Sequence, residues 1–503
     1  MDDVDRTESN ADQEASTPQQ EQVEMTEIGE QTYTLDEAIE HIGFGIYHVK
    51  VIVIAGLSWM ADAMEMMILS ILSPILMCEW GLMNYEEALI TTVVFLGQGF
   101  GSISWGFVSD MFGRKKGLYL SVCLVLFFGI CSSQAPSYGW MLALRLLVGF
   151  GIGGVPQAVT IVTEVLPLSS RGRAIVILEF FWALGSVFAA AIAIGVIEHL
   201  KWRWYLVIIT LPMFFFLFTG FWLPESPRYL MTVGKTDQVM KLLKKMAAEN
   251  GKTLPEGTLM KQEINTRRGR PIDLFQPEWI RTTLLLFVIW FTSAFTYYGI
   301  VLLTTEMFQT EIDGCNPYNK HEKQALGGCH HLTNKDYTDF MLTTLAEFPG
   351  LLLAIFLIEY FGRKKTLAIL FGSAAVSFCL LAICSGRTMS VIFVFAVRGF
   401  VTGSFQVAYV YTPEVLPTNV RAVGLGSCST FARIGAMTTP FVAQVLIHVS
   451  FYLVVGVYAT LISLCVVAAL FLPIETKGKV LSDSTSTSSG RNSQTREGYQ
   501  NFK

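Results

Sequence analysis

From about Val51 onward the chain is a succession of apolar runs, each near the ~20 residues that cross a hydrocarbon core as a helix. Twelve such runs are centred near residues 62, 98, 125, 150, 185, 212, 293, 347, 374, 400, 434 and 461. Lipid offers no partner for backbone N–H and C=O groups, so a spanning segment is a helix or a strand of a closed barrel. These runs are too long for barrel strands. Only 15% of the residues are charged, against about 25% in a soluble domain. The chain therefore reads as an all-α membrane protein, which excludes an array of soluble enzyme domains and a basic nucleic-acid binder.

Charge sets the expected topology. The first forty residues hold thirteen acids against Arg6 alone, and they lack the basic and apolar regions of a secretory leader. With both tails assigned to the cytoplasm, the loops on their side carry twenty Lys and Arg, and the opposite side carries six. Positive loops stay inside, so this bias predicts cytoplasmic termini. The expected organisation is an acidic disordered tail over 1–44 and a six-helix bundle over 45–223. A central cytoplasmic loop with a short helix follows over 224–281. A second six-helix bundle takes 282–473, and a disordered cytoplasmic tail takes 474–503.

Within the central loop, Val239, Leu242, Leu243, Met246 and Ala247 recur at helical spacing after Thr236, a candidate cap, and before Asn250-Gly251, a candidate stop. Packing against the bundle is the plain reading of that stripe; lipid or calmodulin binding is the alternative. The second bundle contains a non-cytoplasmic loop, 307–336, with Cys315, Cys329, His330 and His331. A Cys315–Cys329 disulfide is allowed in that compartment, and the spacing matches no standard zinc pattern. The other seven cysteines sit in or beside apolar runs, where free Cys behaves as a small hydrophobe.

An internal duplication organises the whole. Asp110, Gly113, Arg114, Lys115 and Lys116 recur as Glu359, Gly362, Arg363, Lys364 and Lys365, 249 residues later. Glu164, Pro167 and Arg171 recur as Glu414, Pro417 and Arg421 at an offset of 250. Leu223-Pro224 recurs as Leu472-Pro473, each with Glu225 or Glu475 close behind, and Arg145 recurs as Arg398. Two six-helix halves related by a parallel repeat form an architecture of secondary transporters, whose substrate sites lie near the midplane between halves.

At these residues the chain resembles the major facilitator superfamily over nearly all of 45–476. Gly106, Asp110, Gly113, Arg114, Lys115 and Lys116 look like its loop 2–3 signature. Pro224-Glu225-Ser226-Pro227-Arg228 and Pro473-Ile474-Glu475-Thr476 look like the sugar-porter marks that end each half. Where sugar porters place a glutamine pair in the seventh helix, this chain has Phe295-Thr296-Tyr297-Tyr298-Gly299. That stretch instead resembles organic-ion transporters and synaptic vesicle proteins, and Trp59–Met67, Val148–Gln157 and Tyr409–Glu414 resemble the synaptic vesicle proteins more closely. The resemblance implies the major facilitator fold, two bundles of six helices, in a synaptic or other cytoplasmic vesicle membrane, with the plasma membrane as alternative.

The boundary motifs suit conformational coupling. Gly113 and Gly362 permit tight turns. Asp110–Arg114 or Glu164–Arg171 pairs can hold one arrangement of two rigid bundles and break in the other. Arg145, Glu359, Arg363, Arg398, Glu414 and Arg421 complete this set; the plain reading of the lysines is topology alone.

Charges inside a membrane cost roughly 2.5–3.5 kcal/mol each on insertion scales, so each is a functional candidate. Asp62 and Glu65 share a face of the first span; Glu179 lies in the fifth, Glu347 in the eighth and Arg433 in the eleventh. Asp62 or Glu65, lining a cavity, is suited to exchanging a proton; a permanent carboxylate–arginine pair is the structural alternative. In the resembling organic-ion families the position of Arg433 tends to be Asp in cation carriers and Arg in anion carriers. Arg433 thus points to an anionic substrate group, which a guanidinium matches with paired donors. Tyr297, Tyr298, Trp182 and Trp290 are candidates to line the cavity, with helix packing as the alternative.

No Walker loop, dinucleotide fingerprint or nucleophile elbow occurs, so neither enzyme chemistry nor a cofactor or metal is expected. The glycines at 149–154 read as close helix packing. The expected activity is transport of a small organic ion by alternating access, with protons as the coupling ion. A non-transporting vesicle-membrane receptor or scaffold on the same fold is the alternative.

Overall fold

The structure, a computed structural model, describes residues 32–260, 270–309, 332–383 and 386–477. Its helices in the first half are α1 (Leu35–Ile42), α2 (Ile46–Trp80), α3 (Asn84–Phe112), α4 (Arg114–Ser133), α5 (Tyr138–Ile152) and α6 (Gln157–Val165). They continue as α7 (Leu168–Ile208), α8 (Leu211–Thr219), α9 (Pro227–Thr232) and α10 (Thr236–Asn250). The second half contains α11 (Ile280–Gln309), α12 (Asn334–Thr344), α13 (Glu347–Phe361), α14 (Arg363–Leu381), α15 (Arg387–Val415), α16 (Thr418–Pro440) and α17 (Phe451–Phe471).

Eleven stretches are long and apolar enough to cross a membrane. One of them, Leu168–Trp222, has 55 residues, far beyond a single crossing at about 1.5 Å per residue. It turns back at Lys201, which adopts φ 66 inside α7. That stretch supplies two crossings, and the twelve runs read from hydropathy are all present as helix.

Alternate helices run in opposite directions. The ends of α2 and α11 and the starts of α3, α12 and α17 therefore gather at one end, here called distal. The starts of α2, α4, α11 and α14 lie at the other, proximal, end with α10. Buried apolar side chains fall into two clusters, one drawn mainly from the first half and one spanning Leu274 to Leu472. Small residues let helices within a half touch backbone to backbone. A Cβ on Gly149 would stand 2.1 Å from the Val94 carbonyl oxygen, and one on Gly350 would stand 2.2 Å from that of Gly399.

Within the stretch expected as an acidic disordered tail, 1–44, the residues from Thr32 onward form secondary structure. Thr32–Tyr33 pairs in parallel with Thr258–Leu259, and α1 buries Leu35, Ala38, Ile39 and Ile42 along one stripe. Thr34 and Glu37 form a capping box at its start. Acidity in this stretch is structural: Asp36 pairs with Arg228 at 2.7 Å and Arg171 at 3.4 Å. Glu40 accepts from the first amide of α7, Leu168, at 2.9 Å, where a helix N-terminus favours a carboxylate.

The central-loop helix forms as α10 and packs inward through Val239, Leu243, Met246 and Ala247. Gly251 ends it in the left-handed conformation, but Lys235, not Thr236, occupies the cap position and Thr236 is the first helical residue. Asn250 ties the helix to α2 by accepting from the Tyr47 amide at 3.1 Å. Cys315, Cys329, His330 and His331 lie outside the described residues, as does the expected C-terminal tail beyond Lys477. Cys78 departs from the reading of the helix cysteines as free thiols, for it is disulfide-bonded.

The charge bias gives a testable orientation. A single reporter cysteine at Lys235 should be modified only after the membrane is permeabilised, and one at Asn334 without permeabilisation, in cells displaying the distal face. Labelling of Lys235→Cys but not Asn334→Cys from outside would reverse the assignment.

Candidate functional site

Between the halves, near the middle of the long helices, lies a cavity of about 100 Å³. Asp62 on α2 and Glu179 on α7 reach it from the first half, and Arg433 on α16 reaches it from the second. Trp59, Trp182, Tyr297, Tyr298 and Tyr409 form much of the remaining wall. Pro156 also borders it, at the break that separates α5 from α6. The aromatic wall is packed across the interface, with Phe95 of α3 and Tyr298 of α11 at 4.6 Å between ring centroids.

The charges in this cavity are arranged asymmetrically. Arg433 makes no ion pair within 4 Å among the described residues; its electrostatic neighbours are Tyr298, Tyr409 and Asp62. Asp62 is 3% exposed, and its Oδ1 is buried without a hydrogen bond. Glu179 has Glu347 and Asp62 as its acidic neighbours. An unpaired guanidinium and two carboxyls thus face one small, aromatic-walled space. A guanidinium there can donate paired hydrogen bonds to an anionic group.

Other intramembrane charges are consumed locally. Glu65 does not line the cavity; its Oε2 accepts from Arg145 at 3.0 Å, both side chains being 1% exposed. Ser132 Oγ accepts a second Arg145 hydrogen bond at 2.7 Å. In the second half, Glu347 Oε1 accepts from Arg398 Nε and from its terminal nitrogen at 3.0 and 2.9 Å. Arg145 and Arg398, candidates for conformational coupling, are thus each a buried cation paired with a carboxylate of its own half. The arginines follow the repeat but the acids do not, since Glu65 comes from the first helix of its half and Glu347 from the second.

The second of these pairs is wired to the cavity. Tyr297 donates its hydroxyl to Glu347 Oε1 at 3.1 Å and accepts from Trp182 Nε1 at 2.6 Å. This places Glu347, Tyr297 and Trp182 on one hydrogen-bonded path between halves. Trp290 is removed from the site. It is fully buried and donates to Thr412 Oγ1 at 2.9 Å. Gln98 and Gln406 also line the cavity, and the sequence reading passed over both. The available signal was an uncharged amide in the middle of an apolar run.

At the proximal end the duplicated motifs assemble into two matching clusters. Glu225 Oε1 accepts from the Lys115 amide at 3.0 Å. Glu475 accepts from the Arg363 and Lys364 amides at 2.8 and 3.1 Å. Each carboxylate caps the start of a membrane helix, α4 or α14, where the helix dipole favours negative charge. Gly113 and Gly362 make this contact possible. Their φ values are 107 and 85, and a Cβ would lie 2.3 Å from Glu225 Oε2 or 2.8 Å from Glu475 Cδ.

Glu164 accepts from Ser226 Oγ, and Glu414 accepts from Thr476 Oγ1 at 2.6 Å and Arg363 at 2.8 Å. Asp110 pairs with Arg114, whereas Arg363, the counterpart of Arg114, has turned to Glu414. The expected Glu164–Arg171 pair is replaced: Arg171 donates to the Leu166 carbonyl at 3.1 Å and to Asp36. Arg421 donates likewise to Leu416 at 3.3 Å. These contacts all join elements of the same half, so they brace each bundle rather than bridge the two.

Two families cover this chain: "Sugar (and other) transporter" matches residues 18–312 and "Major Facilitator Superfamily" matches residues 339–495. The chain belongs to the major facilitator superfamily. It is accordingly a multi-pass membrane protein of a transporter family. "Synaptic vesicle 2-related protein" of Xenopus laevis is 51% identical over 90% of this chain and 83% of its own length. "Putative transporter svop-1" of Caenorhabditis elegans is 45% identical over 90% and 88%. The inward-open xylose transporter XylE from E. coli shares the fold, with a TM-score of 0.65 over 86% of this chain and 98% of that one at 16% identity.

Proposed function

We propose that this protein carries a small organic anion across a vesicle membrane by alternating access, with protons as the coupling ion. The observation that carries this reading is Arg433. It is an intramembrane cation without an ion pair within 4 Å among the described residues, and it faces a cavity between the two halves. Keeping such a charge within a membrane is expensive, and an anionic substrate group would supply its missing partner. Asp62 and Glu179 across the cavity are suited to hold the coupling proton, since a carboxyl can gain or lose one as the site opens to either side. The aromatic walls fit a substrate with an apolar body.

The two proximal clusters support a rocking carrier by making each half a rigid body. A cavity of about 100 Å³ is below the ~300–1,000 Å³ of open ligand pockets, as expected of a conformation closed around the site. The relatives named for synaptic vesicles favour a vesicle membrane.

The direct test is purified full-length protein in proteoliposomes, offered a panel of radiolabelled organic anions and cations with and without a pH gradient. Uptake of at least one anion, increased by the gradient and lost with Arg433→Met, is the expected result. Accumulation of cations alone would overturn the anion assignment, and uptake insensitive to the gradient would overturn proton coupling. No uptake with saturable binding would favour a receptor on a carrier fold.

A further inference from the structure

Outside the central cavity, a groove of about 400 Å³ runs along the proximal end of the first half. It shares no lining residue with that cavity. One wall is the start of α2, where Ile46, Val49, Lys50, Val53 and Ile54 recur at helical spacing and so share a face. Ile46, Val49 and Val53 remain exposed, although the fold buries most of α2 further along. Trp222, exposed at the end of the Leu168–Trp222 stretch, forms a second wall. Lys245 and Glu249, one turn apart on α10, close the third. They lie off the stripe of Val239, Leu243, Met246 and Ala247 by which α10 packs inward.

The groove changes character with depth. Val53 and Ile54 lie one turn deeper along α2 than Lys50, about 5 Å, so an apolar slot leads up to a basic edge. Glu249 accepts from Lys50 Nζ at 2.9 Å and stands 4.0 Å from Lys245 Nζ. A single carboxylate thus serves two ammonium groups, and one positive charge is left over. Lys241, exposed one turn earlier on the same face of α10, adds to it. Lys115 donates to the carbonyl of Phe221 at 2.8 Å, which sets a further ammonium beside the aromatic wall.

This combination matches an amphipathic anion. Basic pockets beside membrane helices take anionic headgroups, and tryptophan is favoured at headgroup level. We propose that the groove binds an anionic phospholipid of the proximal leaflet, with an acyl chain along Val49, Val53 and Trp222 and the phosphate at Lys50 and Lys245. The lysine stems lie along the chain while their ammonium groups reach the headgroup. The occupant is a lipid because most of the lining is apolar and continuous with the surface that faces the bilayer; a soluble phosphate would leave that slot unfilled. Asn250 already ties α10 to α2 through the Tyr47 amide, and the lipid adds a second tie within the same half. The inference needs no substrate, so it stands or falls apart from the anion reading.

The test is photocrosslinking of full-length protein in nanodiscs of phosphatidylcholine with about one-fifth phosphatidylserine, the anionic probe. A benzophenone-bearing residue at Val53 samples the groove. One at exposed Phe356 on α13 samples the same leaflet beside the second half. Mass spectrometry of the adducts gives the ratio of serine to choline lipid at each site. One uncompensated lysine enriches anionic lipid about fivefold, so the ratio at Val53 is expected to be about fivefold above that at Phe356. Lys50→Gln combined with Lys245→Gln should bring the difference below about twofold. Glu249→Gln, which frees the second lysine, should raise it about fivefold further. Excess glycerophosphoserine, the headgroup without chains, should displace none of the lipid. Equal ratios at the two sites, a ratio unmoved by the double lysine change, or failure of Glu249→Gln to raise it would each overturn the proposal. Displacement by the soluble headgroup would overturn the assignment to a lipid. The lysine and glutamate variants move the ratio in opposite directions, so misfolding of either leaves the other decisive.

Discussion

Arg433→Met is expected to weaken binding of a transported organic anion by at least about 30-fold. Truncating one member of a buried, hydrogen-bonded charge pair costs about 2–5 kcal/mol, and every 1.4 kcal/mol is tenfold. Methionine keeps the length and apolar stem of the side chain, so the cavity wall stays packed and the charge alone is lost. Because Arg433 has no ion pair within 4 Å among the described residues, its removal orphans no partner carboxylate, and stability should change little. Equilibrium binding in nanodiscs checks the first statement and thermal unfolding the second. Asp62→Asn should change anion affinity by less than about threefold while flattening its dependence on pH. Unchanged affinity in Arg433→Met, or a collapse in its stability, would make Arg433 a packing residue.

Arg145→Leu is expected to be the most destabilising single change considered, by about 3–5 kcal/mol, because it leaves Glu65 charged and buried without its partner. Both side chains are 1% exposed, and the pair is closed at 3.0 Å, so solvent cannot compensate. The double variant Glu65→Leu, Arg145→Leu should recover most of that loss, since well-packed apolar side chains of similar volume replace a buried ion pair at little cost. Reversible unfolding in mixed micelles measures both. Equal loss in the single and double variants would show that Arg145 acts through Ser132 or through packing, not through Glu65.

Much of the architecture is legible in the chain itself. Apolar runs of spanning length dictate helices, since lipid leaves no other way to satisfy the backbone. The repeated Gly113 and Gly362 marks, with Glu225 and Glu475, identify two equivalent halves. Their contact also explains why the marks recur together: each glutamate caps the helix that its glycine starts. The α10 stripe was equally clear, because a period of 3.6 needs no knowledge of what it packs against.

Polar residues inside the membrane were legible only as candidates. Asp62 and Glu65 lie three residues apart and look alike in sequence, yet one borders the cavity and the other is spent on Arg145. Glu164 and Arg171 look like a pair, but Arg171 reaches Asp36 of a segment that reads as an acidic tail. The sequence by itself determined the number of crossings, the duplication and the inventory of buried charge, because these depend on local hydropathy and periodicity. The tertiary structure alone decided which charges are neutralised and which face a space between the halves. That outcome depends on which helices become neighbours, and charge pairing is set by distances of a few ångströms between segments remote along the chain.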